Sequence, residues 1–228
     1  PDAAKKRLVR LLGERGIPLI EDLVYGDLYF SPTPPRAAKA YDRHGMVMLC
    51  SSFSKTLAPG FRVGWVAPGR YRAAVERLKF VSSVGNPELL QLTIAGFLEN
   101  GGYDHQLRSL RRAFAERIER TKRAVCEHFP EGTRATSPAG GFVLWVELPQ
   151  GVDSLALYES TMRDGISIAP GPMFSASNRY RNCIRLNCGC TWTPAVERAL
   201  ARVGELAKVQ LVHTTGAPRP RRRRHPSD

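Results

Sequence analysis

Three short apolar runs follow a helical stretch in the first third of the chain, and this order limits the fold more than any other feature. The runs are Leu19-Ile20, residues 46–50 and residues 61–66, and a basic amphipathic stretch over residues 2–14 precedes them. Short apolar runs bounded by glycine, proline and polar residues are typical of buried strands. The succession of helix, strand, crossover and strand therefore predicts an α/β layer with a mainly parallel sheet.

The pattern becomes helical from residue 70 and then changes to a mixture of strands and helices. Helical periodicity covers residues 70–81, 87–99 and 103–129. After this long helix, strands are predicted at residues 141–148, 166–169 and 183–187, with helices at 154–164 and 193–209. The sequence thus predicts part of a three-layer α/β/α domain over residues 1–108 and a smaller α+β domain over residues 109–212.

The net charge of +13 includes five arginines in the last ten residues, and the rest is spread mainly over helix faces. Residues 213–228 have no apolar anchors and are expected to form a disordered basic tail. The chain has no apolar stretch near the roughly 18 residues that a membrane helix needs and no signal-like start, so a cytoplasmic location is the default. Its five scattered cysteines indicate reduced thiols and, without further ligands at suitable spacing, no metal site.

Hydroxyl and basic side chains gather immediately after the apolar run at residues 46–50. Ser52, Ser54 and Lys55 follow the predicted strand, and Arg62 lies seven residues beyond the lysine. Serine hydroxyls and a guanidinium suit a phosphate dianion, and a lysine beside a cation and a buried strand end can become nucleophilic. The pattern favours a phosphorylated aldehyde held as an imine, although helix-capping serines with a solvated lysine and arginine also account for it.

A second polar pair ends the preceding strand, where Asp22 is followed by Tyr25. Because the carboxyl ends of neighbouring parallel strands meet at one edge of a sheet, we expect Asp22 and Lys55 to face the same pocket. A carboxylate there can keep a heterocyclic nitrogen protonated, and a tyrosine can bind a ring hydroxyl. The alternative interpretation is that Asp22 is a surface aspartate and Tyr25 a half-buried tyrosine, neither with a functional role.

Taken together, Asp22-x-x-Tyr25 and Ser52-x-Ser54-Lys55-x6-Arg62 resemble the motifs of pyridoxal-phosphate enzymes of fold type I, specifically the class I/II aminotransferases. The amino-acid sequences of residues 51–65, 165–174 and 183–189 are most similar to the aminotransferase-like domain of MocR/GntR-type regulators. The likeness extends from about residue 1 to residue 211. It implies that residues 1–108 form the C-terminal half of the large cofactor-binding domain and that the chain is an N-terminally truncated fragment.

The resemblance also implies a role for each candidate residue. Lys55 would form the imine with pyridoxal phosphate and move the substrate's Cα proton, Asp22 would keep the pyridine nitrogen protonated, and Tyr25 would bind the ring oxygen. Arg185 matches the arginine that binds the substrate α-carboxylate, with a surface salt bridge as the alternative. The phosphate would be held by Ser52, Ser54 and Arg62.

Several functions remain open from the sequence. The leading one is an aminotransferase that moves an amino group between an amino acid and a 2-oxo acid. As a fragment it is expected to be inactive alone, and its parent to be a homodimer. The alternative is the effector-binding domain of a MocR-type regulator that contacts DNA only through an upstream domain. Ser52-x-x-Lys55 also fits penicillin-recognising enzymes, but their Ser-Asp-Asn and Lys-Thr-Gly partners are absent from the sequence.

Overall fold

The computed structural model describes residues 2–216 and divides them into two compact units. The first unit contains residues 2–115 with 139–141, and the second contains residues 116–138 with 142–216. The units divide within one long helix, between Ala115 and Glu116, whereas the sequence pattern placed the boundary at residue 108. No helix among residues 2–216 is long and apolar enough to cross a membrane.

A three-stranded sheet organises the first unit. Strands β1 (Leu19–Asp22), β2 (Val47–Ser52) and β3 (Gly64–Ala67) lie in that order, with β1 parallel to β2 and β3 antiparallel to β2. The sheet in the described residues is therefore mixed. Strand β3 runs antiparallel to β2 because residues 53–63, which connect them, are too few for the crossover that a parallel strand requires.

Four helices accompany this sheet, and the sequence predicted each of them to within about two residues. They are α1 (Asp2–Glu14), α2 (Arg72–Ser83), α3 (Glu88–Glu99) and α4 (Gly102–His128). Helix α2 ends where Val84 leaves the helical region at φ 54° and Pro87 approaches, since proline cannot continue a helix. Gly101, at φ 68°, separates α3 from α4.

Apolar side chains of the first unit are divided between a small core and exposed helix faces. Its fully or nearly buried residues include Leu28, Met46, Val47, Ile94 and Leu107. Helices α2 and α3 and the turn between them also carry large apolar side chains that are 61–75 % exposed, namely Leu78, Phe80, Val81, Val84, Leu89 and Leu92.

Asp42 anchors the chain where it enters β2. Its charged side chain is buried, with only 1 % of it exposed. One carboxylate oxygen accepts hydrogen bonds from the backbone N–H groups of His44 and Met46, and the other accepts from Val47 N–H and Lys39 Nζ, at 2.9–3.1 Å. Burial alone raises the pKa of this carboxyl, but the four donors outweigh burial and lower it to about 2.

The second unit contains an antiparallel sheet packed with helices. Its strands are β4 (Arg134–Ala135), β5 (Val143–Glu147), β6 (Ala169–Pro170) and β7 (Cys183–Asn187), in the spatial order β4-β5-β7-β6. Helices α5 (Ser154–Arg163) and α6 (Pro194–Gly216) pack against each other. The core is built largely from inward side chains of this sheet and its helices, including Leu144, Val146, Leu157, Ile184 and Val203.

Two expectations for the second unit need correction. The strand expected at residues 166–169 is reduced to Ala169–Pro170, since only these residues pair with β7. The last helix continues to Gly216, so residues 213–216 belong to α6 and not to a tail. The remainder of the expected disordered tail, residues 217–228, lies outside the described residues.

Candidate functional site

The parallel pairing of β1 and β2 brings the ends of these strands together, as their sequence predicted. Asp22, the last residue of β1, is in register with Cys50 of β2, and Leu23 N–H donates to the Cys50 carbonyl at 2.8 Å. The exposed Asp22 carboxylate accepts one hydrogen bond from Val24 N–H at 3.0 Å. An acidic group thus stands beside the end of the strand that leads to Lys55.

Lys55 lies at the exposed surface of a tight turn that begins immediately after β2. The N–H groups of Leu57 and Ala58 both donate to the Phe53 carbonyl, at 2.8 Å and 3.1 Å, and so close the turn. The lysine makes no hydrogen bond or ion pair with any residue in the described part of the chain. Its amine is therefore available to an incoming ligand.

Ser52, Ser54 and Arg62 form one polar cluster beside this turn. Ser54 Oγ lies 2.9 Å from Ser52 Oγ and 3.5 Å from Arg62 Nη1, and Ser54 N–H donates to Ser52 Oγ at 3.1 Å. Arg62 has the left-handed backbone conformation, with φ 53°, which is uncommon for a residue with a side chain. Two hydroxyls and a guanidinium are the donors that a phosphate dianion requires, so the chemistry of the cluster fits such a group.

Gly64 allows β3 to run close to the serines of β2. It is in register with Ser52, and a Cβ atom at this position would lie 2.6 Å from the Ser51 carbonyl oxygen. No larger residue fits there unless the backbone moves. The glycine thus supports the compact return of the chain from Arg62 to the sheet.

Tyr25 follows β1 in a turn, three residues beyond Asp22, and 40 % of its surface is exposed. Its carbonyl accepts a hydrogen bond from Leu28 N–H at 3.0 Å, and the Tyr25 ring lies 3.8 Å from the position that a Cβ atom on Gly141 would occupy. Tyr25 and Asp22 are thus carried by the same short segment at the end of β1.

Arg185 belongs to the second unit, where it lies on β7 between Trp145 of β5 and Ala169 of β6. Its guanidinium is 4.6 Å from the centroid of the Phe174 ring, and Phe174 packs edge-on against Trp145 at 5.5 Å. The side chain is exposed, and stacking on an aromatic face leaves the planar fork free to bind a carboxylate.

The structure also reveals a polar network that the sequence pattern did not indicate. Tyr103, in the first turn of α4, places its phenolic oxygen 3.0 Å from Asp27 Oδ2 and 2.9 Å from Thr56 Oγ1. Its ring packs edge-on against Phe53, with centroids 5.7 Å apart. Burial raises the pKa of Tyr103 to about 12, with a smaller contribution from the Asp27 charge, while the contact with Thr56 acts in the opposite direction.

Sequence reasoning missed this network because its members are far apart in the chain. Tyr103 is 47 residues from Thr56 and 76 residues from Asp27, so neither helical nor strand spacing connects them. Only the position of Thr56 directly after Lys55 was visible in the sequence.

Residues 2–203 match the sequence model of the family described as aminotransferase class I and II. One relative is an uncharacterised HTH-type transcriptional regulator of Escherichia coli, YjiR, which is 40 % identical over 205 residues, covering 90 % of this chain and 44 % of that protein. The chain thus spans about half the length of the curated relatives that it matches.

Solved structures give the same assignment of fold. The multiple substrate aminotransferase of Thermococcus profundus superposes with a TM-score of 0.85 at 29 % identity, covering 92 % of this chain and 53 % of that one. The α-aminoadipate aminotransferase LysN of Thermus thermophilus, complexed with N-(5'-phosphopyridoxyl)-L-leucine, superposes with a TM-score of 0.84 at 27 % identity, covering 93 % and 56 %. Both establish the α/β architecture of pyridoxal-phosphate-dependent aminotransferases.

Proposed function

The chain belongs to the aminotransferase class I and II family, and from this premise we propose that it is part of a pyridoxal-phosphate-dependent aminotransferase. The reaction would move an amino group between an amino acid and a 2-oxo acid. The observation that carries the proposal is the cluster of Ser52, Ser54 and Arg62 beside the exposed amine of Lys55. Phosphate donors and a lysine at one strand end are what a phosphorylated aldehyde requires.

Pyridoxal phosphate, when bound, supplies an aldehyde that condenses with amines and a protonated ring that accepts electrons. Arg62 and the two serine hydroxyls bind its phosphate. The Asp22 carboxylate, whose only protein donor in the described residues is Val24 N–H, keeps the ring nitrogen protonated. The Tyr25 phenol, on the same segment as Asp22, donates to the ring oxygen and orients the ring.

Lys55 has two tasks in this proposal. Its amine would hold the cofactor through the aldehyde carbon, with the aldehyde oxygen leaving as water, and, once the substrate amine has taken its place, it would accept the proton from the substrate Cα and return it during the transfer. The tight turn at residues 53–57 keeps the amine at one strand end throughout.

Arg185 binds the α-carboxylate of the substrate in this proposal. A guanidinium that stacks on Phe174 presents two parallel N–H donors to a carboxylate, which a lysine ammonium cannot do. This residue therefore selects for amino acids and 2-oxo acids as a class.

The test of the proposal is chemical labelling of the protein encoded by the complete reading frame with pyridoxal phosphate, followed by borohydride reduction and peptide mass spectrometry. We expect Lys55 to be labelled roughly tenfold more than the exposed Lys79, a preference of about 1.4 kcal/mol. Unphosphorylated pyridoxal and an Arg62→Ala variant should each remove most of this preference. Equal labelling of the two lysines by pyridoxal phosphate would refute the proposed cofactor site.

Activity is then tested on the protein encoded by the complete reading frame. We expect it to produce a new 2-oxo acid when it is given pyridoxal phosphate, an amino acid and a 2-oxo acid acceptor. The matched Lys55→Ala variant should produce none, because no other residue in the proposal can bind the aldehyde and move the Cα proton. Transfer by the Lys55→Ala variant at the unmodified rate would contradict the assigned role.

A second candidate function is the cofactor- or effector-binding domain of a transcription regulator, favoured by the 40 % identity to YjiR. DNA binding would then require a separate domain in the same reading frame. Sequencing the frame upstream of this segment distinguishes the two readings. A helix-turn-helix region there favours the regulator, and a frame holding only the remainder of an aminotransferase excludes it.

We further propose that the complete protein is a homodimer, which the family resemblance implies, and that it is located in the cytoplasm. Sedimentation of the complete protein tests the first, since a dimer and a monomer differ twofold in mass. Cell fractionation tests the second.

A further inference from the structure

Tyr103 links two separate parts of the candidate site through one phenolic oxygen. Asp27 lies two residues beyond Tyr25, and Thr56 directly follows Lys55, so the two partners of Tyr103 belong to the two segments that carry these side chains. Helix α4 fixes the Asp27 segment a second time, because Arg111 Nε donates to the Asp27 carbonyl at 2.7 Å. All these residues belong to the first unit.

The direction of the hydrogen bonds in this network follows from proton counting. A phenol has one proton, and an ionised carboxylate can only accept. Tyr103 therefore donates to Asp27, and its oxygen accepts the hydroxyl proton of Thr56. The opposing effects of the two partners on the pKa of Tyr103 agree with this order, since an acceptor raises the pKa of a phenol and a donor lowers it.

The Thr56 hydroxyl depends on its hydrogen bond with Tyr103. The Thr56 side chain is buried, with 2 % of the residue exposed, and Tyr103 is the only hydrogen-bond partner of its hydroxyl within residues 2–216. A buried hydroxyl that loses its partner carries the full cost of desolvation, so the turn would move to regain one. Lys55 is the adjacent residue and would move with it.

We infer that Tyr103 is a positioning residue for Lys55, acting through Thr56, and that Asp27 orients the Tyr103 proton for this purpose. The inference rests on the proposed function of Lys55. Tyr103 touches neither the phosphate cluster nor the lysine amine in the hydrogen bonds described, so it does not act on the reacting atoms itself.

The first measurement is amide hydrogen exchange and requires no cofactor. In Tyr103→Phe, which keeps the ring but loses the hydroxyl, the Leu57 and Ala58 amides that close the turn should exchange roughly tenfold faster, the ratio that loss of one buried hydrogen bond gives. The Leu19 amide, at the far end of β1, should be unchanged. Exchange at Leu57 and Ala58 that stays at the wild-type rate would overturn the inference.

The second measurement is the ratio of labelling at Lys55 to labelling at Lys79 with pyridoxal phosphate and borohydride. Tyr103→Phe should lower this ratio roughly fivefold to tenfold. Thr56→Val should lower it equally, Thr56→Ser should restore it, and the control Tyr71→Phe should leave it unchanged. If Tyr103→Phe does not fold, the comparison of Thr56→Val with Thr56→Ser decides the question.

The outcomes separate this inference from the proposed function. A wild-type chain that labels Lys55 no better than Lys79 refutes the cofactor site, and the positioning role with it. Preferential labelling of Lys55 that persists in both Tyr103→Phe and Thr56→Val leaves the cofactor site standing and overturns the positioning role alone. Faster exchange of the turn with an unchanged labelling ratio also overturns it, because Tyr103 would then be only structural.

Discussion

Replacing Asp42 with asparagine removes a charge that three backbone N–H groups and the Lys39 ammonium surround at the entry to β2. The folded protein holds the pKa of this carboxyl at about 2, against 3.8 for the free group. Because the folded-state pKa is the lower one, the carboxylate stabilises the fold above pH 3.8, and this contribution is lost as the pH falls through 2.

The size of the effect follows from the two pKa values. Each pKa unit corresponds to about 1.4 kcal/mol, so the charge contributes about 2 kcal/mol to the free energy of unfolding at pH 6 and about 1 kcal/mol at pH 3. Asp42→Asn should therefore lower the stability of the first unit by about 2 kcal/mol at pH 6, and the difference from wild type should shrink by about half at pH 3.

Urea unfolding at both pH values, followed by circular dichroism, measures this difference. Glu131→Gln serves as the control, because it also removes one negative charge but from an exposed side chain. The control should change the free energy of unfolding by less than about 0.5 kcal/mol at either pH. A cost of Asp42→Asn that is the same at pH 6 and pH 3 would refute the reasoning, since it would show that packing and not charge is responsible.

Three further predictions concern other positions. Gly64→Ala should lower the free energy of unfolding by about 1–3 kcal/mol, measured by urea unfolding, because its Cβ would lie 2.6 Å from the Ser51 carbonyl oxygen. Asp153→Ala should cost about 1 kcal/mol in the same assay, since Asp153 caps α5 by accepting from two backbone N–H groups and also pairs with Arg181 at 2.8 Å. Arg185→Lys in the complete protein should raise KM for the amino acid about tenfold and change kcat less, and an unchanged KM would contradict the carboxylate role.

Much of the fold was readable from the sequence because the decisive signals are local. Apolar runs at β1 and β2 and the helical periodicity of α4 located these elements, and the spacing of Ser52, Ser54 and Arg62 indicated the polar cluster that the structure contains. These residues lie within one turn and its flanks, so no tertiary information was needed to group them.

The features that sequence reasoning missed depend on contacts between distant residues. The antiparallel pairing of β3 depends on the short return after β2, and the two-residue strand β4 has too little sequence to show a period. Tyr103 carries no local signature, since an aromatic residue in the first turn of a helix is more often a packing residue. Its role became visible only when the fold placed it beside Thr56.

At position 62, the residue that would make the fold more stable to heat is not the residue that binds a phosphate-bearing ligand. The left-handed backbone of Arg62 costs a side-chain-bearing residue on the order of 1 kcal/mol that glycine does not incur. A library selected only for heat resistance should therefore enrich Arg62→Gly, and its survivors should respond less to added phosphate-bearing ligands. Stabilised forms of this protein made for crystallisation or industrial use should accordingly leave position 62 unchanged.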